Sequence, residues 1–304
     1  MHPALSIIVF TTLSGLGYGV AAVLGLGLLD PSALSTKLAH LLALGMISGG
    51  LLSSTLHLGN PQRAWRALTQ WRSSWLSREG VMAIVTFLPL LASAWLSLFQ
   101  DRYLVLPGLL GSAGAAVTVY CTAMIYASLK SIDAWHTPLT PACYLLFAAG
   151  GGTLLAALFA AVAGQPGAVV SIAAMVFVAA AWGAKALWWQ RLRSLQPTST
   201  PESATGLGNI GRVKLFERPH VNDNYLTREM GFAVARKHAV KLSRLALING
   251  GGVPIVLTLL AMVAGQGWQA AVLQFLAALL YAGGIAVERW LFFAEARHAV
   301  MNYY

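Results

Sequence analysis

The sequence predicts an all-α polytopic membrane protein with eight transmembrane helices. Three observations carry this reading. Of 304 residues, 57% are hydrophobic and 10% are charged, against roughly 25% charged in an ordinary soluble domain. Apolar stretches recur at the length of about 20 residues that a hydrocarbon core near 30 Å requires. Lys and Arg cluster between those stretches and near their ends.

The spans are expected at 4–29, 34–56, 80–99, 105–129, 142–163, 168–189, 246–264 and 270–292, within one membrane domain over 1–304. Gly45, Gly49, Gly50, Gly111, Gly114 and Gly150 to Gly152 fall inside them, as suits helices packing closely in lipid. Met1-His2-Pro3 lacks the basic region of a secretory signal, so the first span is expected to be retained. Trp75-Leu76-Ser77-Arg78-Glu79 before span 3 is echoed by Tyr225-Leu226-Thr227-Arg228-Glu229 before span 7. An offset of four spans suits two four-helix halves.

Eight spans put both termini on one side, face A, with the linkers between spans 2–3, 4–5 and 6–7. Face A carries eighteen of the twenty Lys and Arg residues, and face B keeps Lys37 and Arg102. The positive-inside rule therefore places face A and both termini in the cytoplasm of a bacterial inner membrane. The basic balance reads as topology and lipid contact, with no nucleic-acid partner. In the long cytoplasmic linker 190–245, residues 196–210 are rich in Pro, Ser, Thr and Gly and read as loop. Residues from Tyr225 to Arg244 read as a helix with Lys237, Lys241 and Arg244 on one face, at the lipid headgroups or against a soluble subunit.

Cys121 and Cys143 lie in apolar stretches, and there is no C-x-x-C. The protein therefore cannot hold its own iron–sulfur cluster, and any electrons must come from a partner's centres. Nothing in the placement of His57, His136, His238 and His298 specifies a haem, and none is expected. The span middles look almost free of ionisable groups, which weighs against an ion-coupled transporter. That class would show itself as a stable homo-oligomer without an iron–sulfur partner.

The chemistry is therefore expected at the face A rim. Reducing a quinone to quinol takes two electrons and two protons. Such a site needs groups that exchange protons beside an apolar slot, on the side where electrons arrive. His57, ending span 2, and Glu79, opening span 3, bracket one aromatic-rich linker and are the candidate proton-exchanging pair. Arg63, Trp71, Trp75 and Arg78 from that linker complete the candidate quinone-binding set with Tyr126, Lys130, Trp135 and His136 from the next one. For most of these, a simpler role is also open: aromatic belt residues, topology charges and helix caps.

Four stretches carry a family resemblance: HLGNPQRAWRAL with WLSREG (57–80), MIYASLKSIDAWHTPLTP (124–141), YLTREMGFAVARKHAVKLSRL (225–245), and ERWLFFAEARH with the terminal NYY (288–304). With eight spans in the same order, the sequence resembles the anchor subunits of dimethyl sulfoxide reductase and its relatives, the DmsC-like family, over essentially its whole length. The resemblance implies a haem-free anchor that binds a [4Fe–4S] ferredoxin-like subunit, which contacts a molybdopterin catalytic subunit. It also implies a quinone site using a histidine and a glutamate that match His57 and Glu79. The charge split puts the rim inside the cell, which is the arrangement of the cytoplasmic quinone-linked sulfite dehydrogenases of sulfur-oxidising bacteria. The expected function is therefore sulfite oxidation coupled to reduction of ubiquinone or menaquinone, in sulfur respiration. The alternative within the family is a menaquinol-oxidising anchor of a dimethyl sulfoxide or polysulfide reductase.

Overall fold

A computed structural model of the protein describes residues 3–55, 60–197, 199–214, 216–217 and 238–303. His57, the residues 218–237 and the pentapeptide at 225–229 lie outside the described residues. Among the described residues, eight helices are long and apolar enough to cross a membrane: α1 (Leu5–Gly25), α2 (Leu34–Thr55), α3 (Trp75–Gln100), α4 (Val105–Ala127), α5 (Leu139–Val162), α6 (Ala168–Ser194), α7 (Ala239–Ala264) and α8 (Trp268–Ala294). Among the described residues there is no β-strand.

The helices pack in two groups of four with the same pairing. In the first half α1 lies on α2, α3 on α4, and α1 on α4; in the second α5 lies on α6, α7 on α8, and α5 on α8. The halves meet through α1 and α5, with α4 against α5 and α1 against α8 as matching flanks. Small residues make the central crossing possible: a Cβ on Gly19 would strike the Ala148 carbonyl, and one on Gly152 would strike the backbone of Gly19. Backbones approach this closely only where both helices present residues without side chains.

Two local features position the functional groups. Helix α3 begins at Trp75, five residues before the stretch that hydropathy picks out, so Glu79 stands inside the helix. Its first turn is polar because it leaves the apolar layer, yet the hydrogen-bond ladder runs on, Arg78 N donating to Ser74 O at 3.1 Å. Helix α7 contains a π-helical turn at Ile248–Gly252. The Trp182 indole of α6 fills the gap there and donates to Gly250 O at 2.8 Å.

Candidate quinone site at the rim of the first half

Glu79 is the centre of this site. One turn inside α3, it is 5% exposed, and its carboxyl meets the Thr122 hydroxyl of α4. Thr122 Oγ1 also lies 3.1 Å from Thr118 O, one turn back in α4. A hydroxyl has one proton to give. When Glu79 is ionised, Thr122 must choose between the carboxylate and the carbonyl. When Glu79 is protonated, the acid donates to Thr122 and Thr122 donates to Thr118. The hydroxyl can thus bond the Glu79 carboxyl in either protonation state, as donor to the carboxylate or as acceptor from the acid.

The surroundings are aromatic and cationic. Trp75, four residues before Glu79 and so on the same side of α3, meets Tyr120 of α4 edge to face at 5.9 Å. The Arg78 guanidinium lies 4.2 Å over the Trp75 ring, donates from Nε to Trp71 O at 3.0 Å and from Nη2 to Arg72 O at 2.7 Å. Arg78 thereby ties the end of the preceding linker to the first turn of α3. Trp71 itself is exposed with Arg72 over its ring at 5.7 Å. Arg63 is also exposed, on the short 3-10 helix Pro61–Leu68.

The second linker supplies a different kind of structure. Trp135 is 3% exposed, its indole N–H donates to Phe292 O at 2.9 Å, and its ring stacks on Phe292 at 5.3 Å. Tyr126 sits between Trp135 (5.3 Å) and Tyr144 (6.0 Å). Together they form an aromatic wall between α4, α5 and α8. His136 is exposed and holds Ala127 O at 2.7 Å through Nδ1, so that nitrogen carries the proton. Lys130 is exposed. The structure thus links Trp71, Trp75 and Arg78 at the start of the helix that carries Glu79, and places Tyr126 and Trp135 in the wall.

A second buried polar group lies in the other half. Lys185 of α6 pairs with Glu288 of α8 at 2.7 Å, and Glu288 also bonds Arg289 Nε at 2.5 Å. All three side chains are at most 2% exposed. By sequence position Lys185 and Arg289 count as rim charges, and packing shows them enclosed. Lys185 Nζ lies 3.5 Å over the Trp188 ring and Arg289 lies 4.0 Å over Tyr144. Nearer the rim, Glu295 accepts from the Trp189 indole at 2.9 Å, and burial raises its carboxyl pKa above the usual range. The available signal was Glu288 beside Arg289, two turns inside a span, with Lys185 at a similar depth on another. Among the described residues no cluster of metal-ligating side chains occurs.

The eight-helix architecture agrees with a sequence comparison over nearly the full length. Residues 1–294 match the family model described as DMSO reductase anchor subunit (DmsC). The chain belongs to this family. Among relatives, it is 31% identical to the C subunit of sulfite dehydrogenase from Allochromatium vinosum, over 100% of its own length and 99% of that protein. It is 27% identical to the C component of the anaerobic dimethyl sulfoxide reductase from Escherichia coli, over 53% of its own length and 59% of that protein.

Proposed function

We propose that this protein is the membrane anchor and quinone-reactive subunit of a molybdenum–iron–sulfur oxidoreductase, and that the complex oxidises sulfite and reduces quinone. The observation that carries the quinone site is Glu79, a buried carboxyl one helical turn inside the face where the basic linkers lie. Full-length likeness to the C subunit of a sulfite dehydrogenase supports the choice of substrate for the complex. The partial likeness to the C component of a dimethyl sulfoxide reductase keeps quinol oxidation as the second reading.

In this scheme a quinone carries two electrons and two protons per turnover, and the electrons come from a [4Fe–4S] subunit docked on face A beside a molybdopterin subunit. Glu79 gives a proton to the ring oxygen nearest it and regains one through the rim; His57, two residues beyond α2 in the sequence, serves the second oxygen. Thr122 holds the Glu79 carboxyl in both states. Trp75 and Trp71 offer ring faces for stacking, while Arg63 and Arg78 hold positive charge beside the developing negative oxygen. Tyr126 and Trp135 close the site toward the second half, and Lys130 and His136 stand at the mouth. Face A is cytoplasmic, as are both termini, by the distribution of Lys and Arg.

The test is purification of the native complex from membranes, with mass spectrometry of its subunits, metal analysis and sulfite-dependent quinone reduction. A molybdenum- and iron-containing complex that passes electrons from sulfite to quinone is the expected result. A homo-oligomer without these partners contradicts the proposal, and a complex that only oxidises quinol selects the second reading.

A further inference from the structure

A small cavity of about 20 Å³ lies between α1, α5 and α8, lined by Thr12, Leu16, Tyr144, Phe147, Ile285 and Arg289 among others. Three of its lining residues carry buried polar atoms without a hydrogen-bond partner: Thr12 Oγ1, Tyr144 OH and Arg289 Nη2. Their side chains are 8%, 6% and 2% exposed. A threonine in an apolar helix ordinarily bonds back to its own helix. Neighbours of Thr12 do so: Thr11 donates to Ile7 O at 2.9 Å and Ser14 to Phe10 O at 2.7 Å. Thr12 keeps its hydroxyl for the cavity.

The charge balance there is uneven. Lys185 and Arg289 are two buried cations, and among the described residues Glu288 is the only carboxylate within 4.0 Å of either. Glu288 bonds Arg289 through Nε, which leaves Nη2 for the cavity. The next carboxyl, Glu295, feels the Lys185 charge but bonds the Trp189 indole, and among the described residues no carboxylate other than Glu288 lies within 4.0 Å of Arg289. Aromatic faces offset part of the excess positive charge, but a net charge in a low-dielectric interior attracts a counter-charge strongly.

We infer that this cavity binds a single monatomic anion of halide size, chloride in the cell, held by Arg289 Nη2 and the hydroxyls of Thr12 and Tyr144. All three groups can donate, which suits an anion. The volume is just above the roughly 10–15 Å³ that one water needs, so a quinone ring or a polyatomic oxyanion is excluded by size. The site lies where α1 of the first half meets α5 and α8 of the second, and stands independently of the quinone proposal.

The test uses the full-length protein in lipid nanodiscs, titrated with sodium chloride or bromide against sodium gluconate at constant ionic strength, with Tm as the readout. A saturable rise in Tm with the halides and none with gluconate is expected. Thr12→Val and Tyr144→Phe, which each delete one donor with little change of shape, should raise the half-saturating halide concentration about tenfold. Equal melting in halide and gluconate overturns the inference and leaves the cavity to water. A halide response that neither substitution shifts also overturns it, because the anion then binds elsewhere.

Discussion

The two four-helix halves share one pairing scheme and differ in what they bury one to two turns beneath face A. The first half buries a lone carboxyl, Glu79, with a threonine hydroxyl as its partner and a linker of exposed tryptophans and arginines beside it. The second half buries two cations and a carboxylate that bond one another, walled in by Trp188, Tyr144 and Phe292. The burial is similar and the partners are not. A carboxylate held between a lysine and an arginine is fixed in its charged form, and it organises helices. A carboxyl whose partner is a hydroxyl keeps a hydrogen bond in either protonation state. Under the proposed function, the first half carries proton exchange and the second joins α6 to α8.

That division can be broken most severely at Glu288. Glu288→Gln leaves Lys185 and Arg289 without their buried counter-charge, and breaking such a pair costs about 3–5 kcal/mol. The expected outcome is loss of the protein from membranes, measured by immunoblot, with quinone-linked and artificial-carrier activities falling together. Normal membrane levels of this variant would mean that the pair does not hold the second half together.

Thr122→Val sharpens the other side of the comparison. It removes the hydroxyl that serves Glu79 in both states and keeps the side-chain volume. Quinone-linked turnover should drop by about tenfold, near the value of one hydrogen bond at a positioned group, with an unchanged membrane level. A drop in level without a change in turnover per molecule would give Thr122 a packing role only.

The smallest effect is expected at Trp182→Phe, which deletes the indole bond to Gly250 O across the π-helical turn of α7. Stability should fall by about 1 kcal/mol, read as a lower Tm, with turnover unaffected. A change in turnover at constant Tm would tie the second half to the chemistry.

Much of this was legible in the sequence. The eight helices follow from apolar length, because lipid tolerates few alternatives to a helix of about 20 residues. Glu79 follows from residue type, since a carboxyl at the edge of an apolar stretch needs a reason. Depth was not legible. Hydropathy begins span 3 at residue 80 because the turn Trp75–Glu79 is polar, yet the helix includes that turn and buries Glu79 against α4. Trp135 looks like a belt residue in sequence, and its place under Phe292 depends on a contact 157 residues away. Glu288 and Arg289 are adjacent opposite charges, a pattern that usually marks a solvated rim; only the position of Lys185 on α6 shows that they are enclosed.

The most direct test of the central claim is Glu79→Gln in the assembled complex, reading sulfite-dependent quinone reduction against sulfite oxidation with an artificial soluble electron carrier. The substitution keeps the shape and an acceptor for Thr122 and removes the ionisable group. A positioned acid or base contributes about 10²- to 10⁴-fold to rate, so the ratio of the two activities should fall by about a hundredfold or more, with the membrane level and the carrier-linked rate unchanged. An unchanged ratio would contradict the account and leave Glu79 as a helix-packing residue.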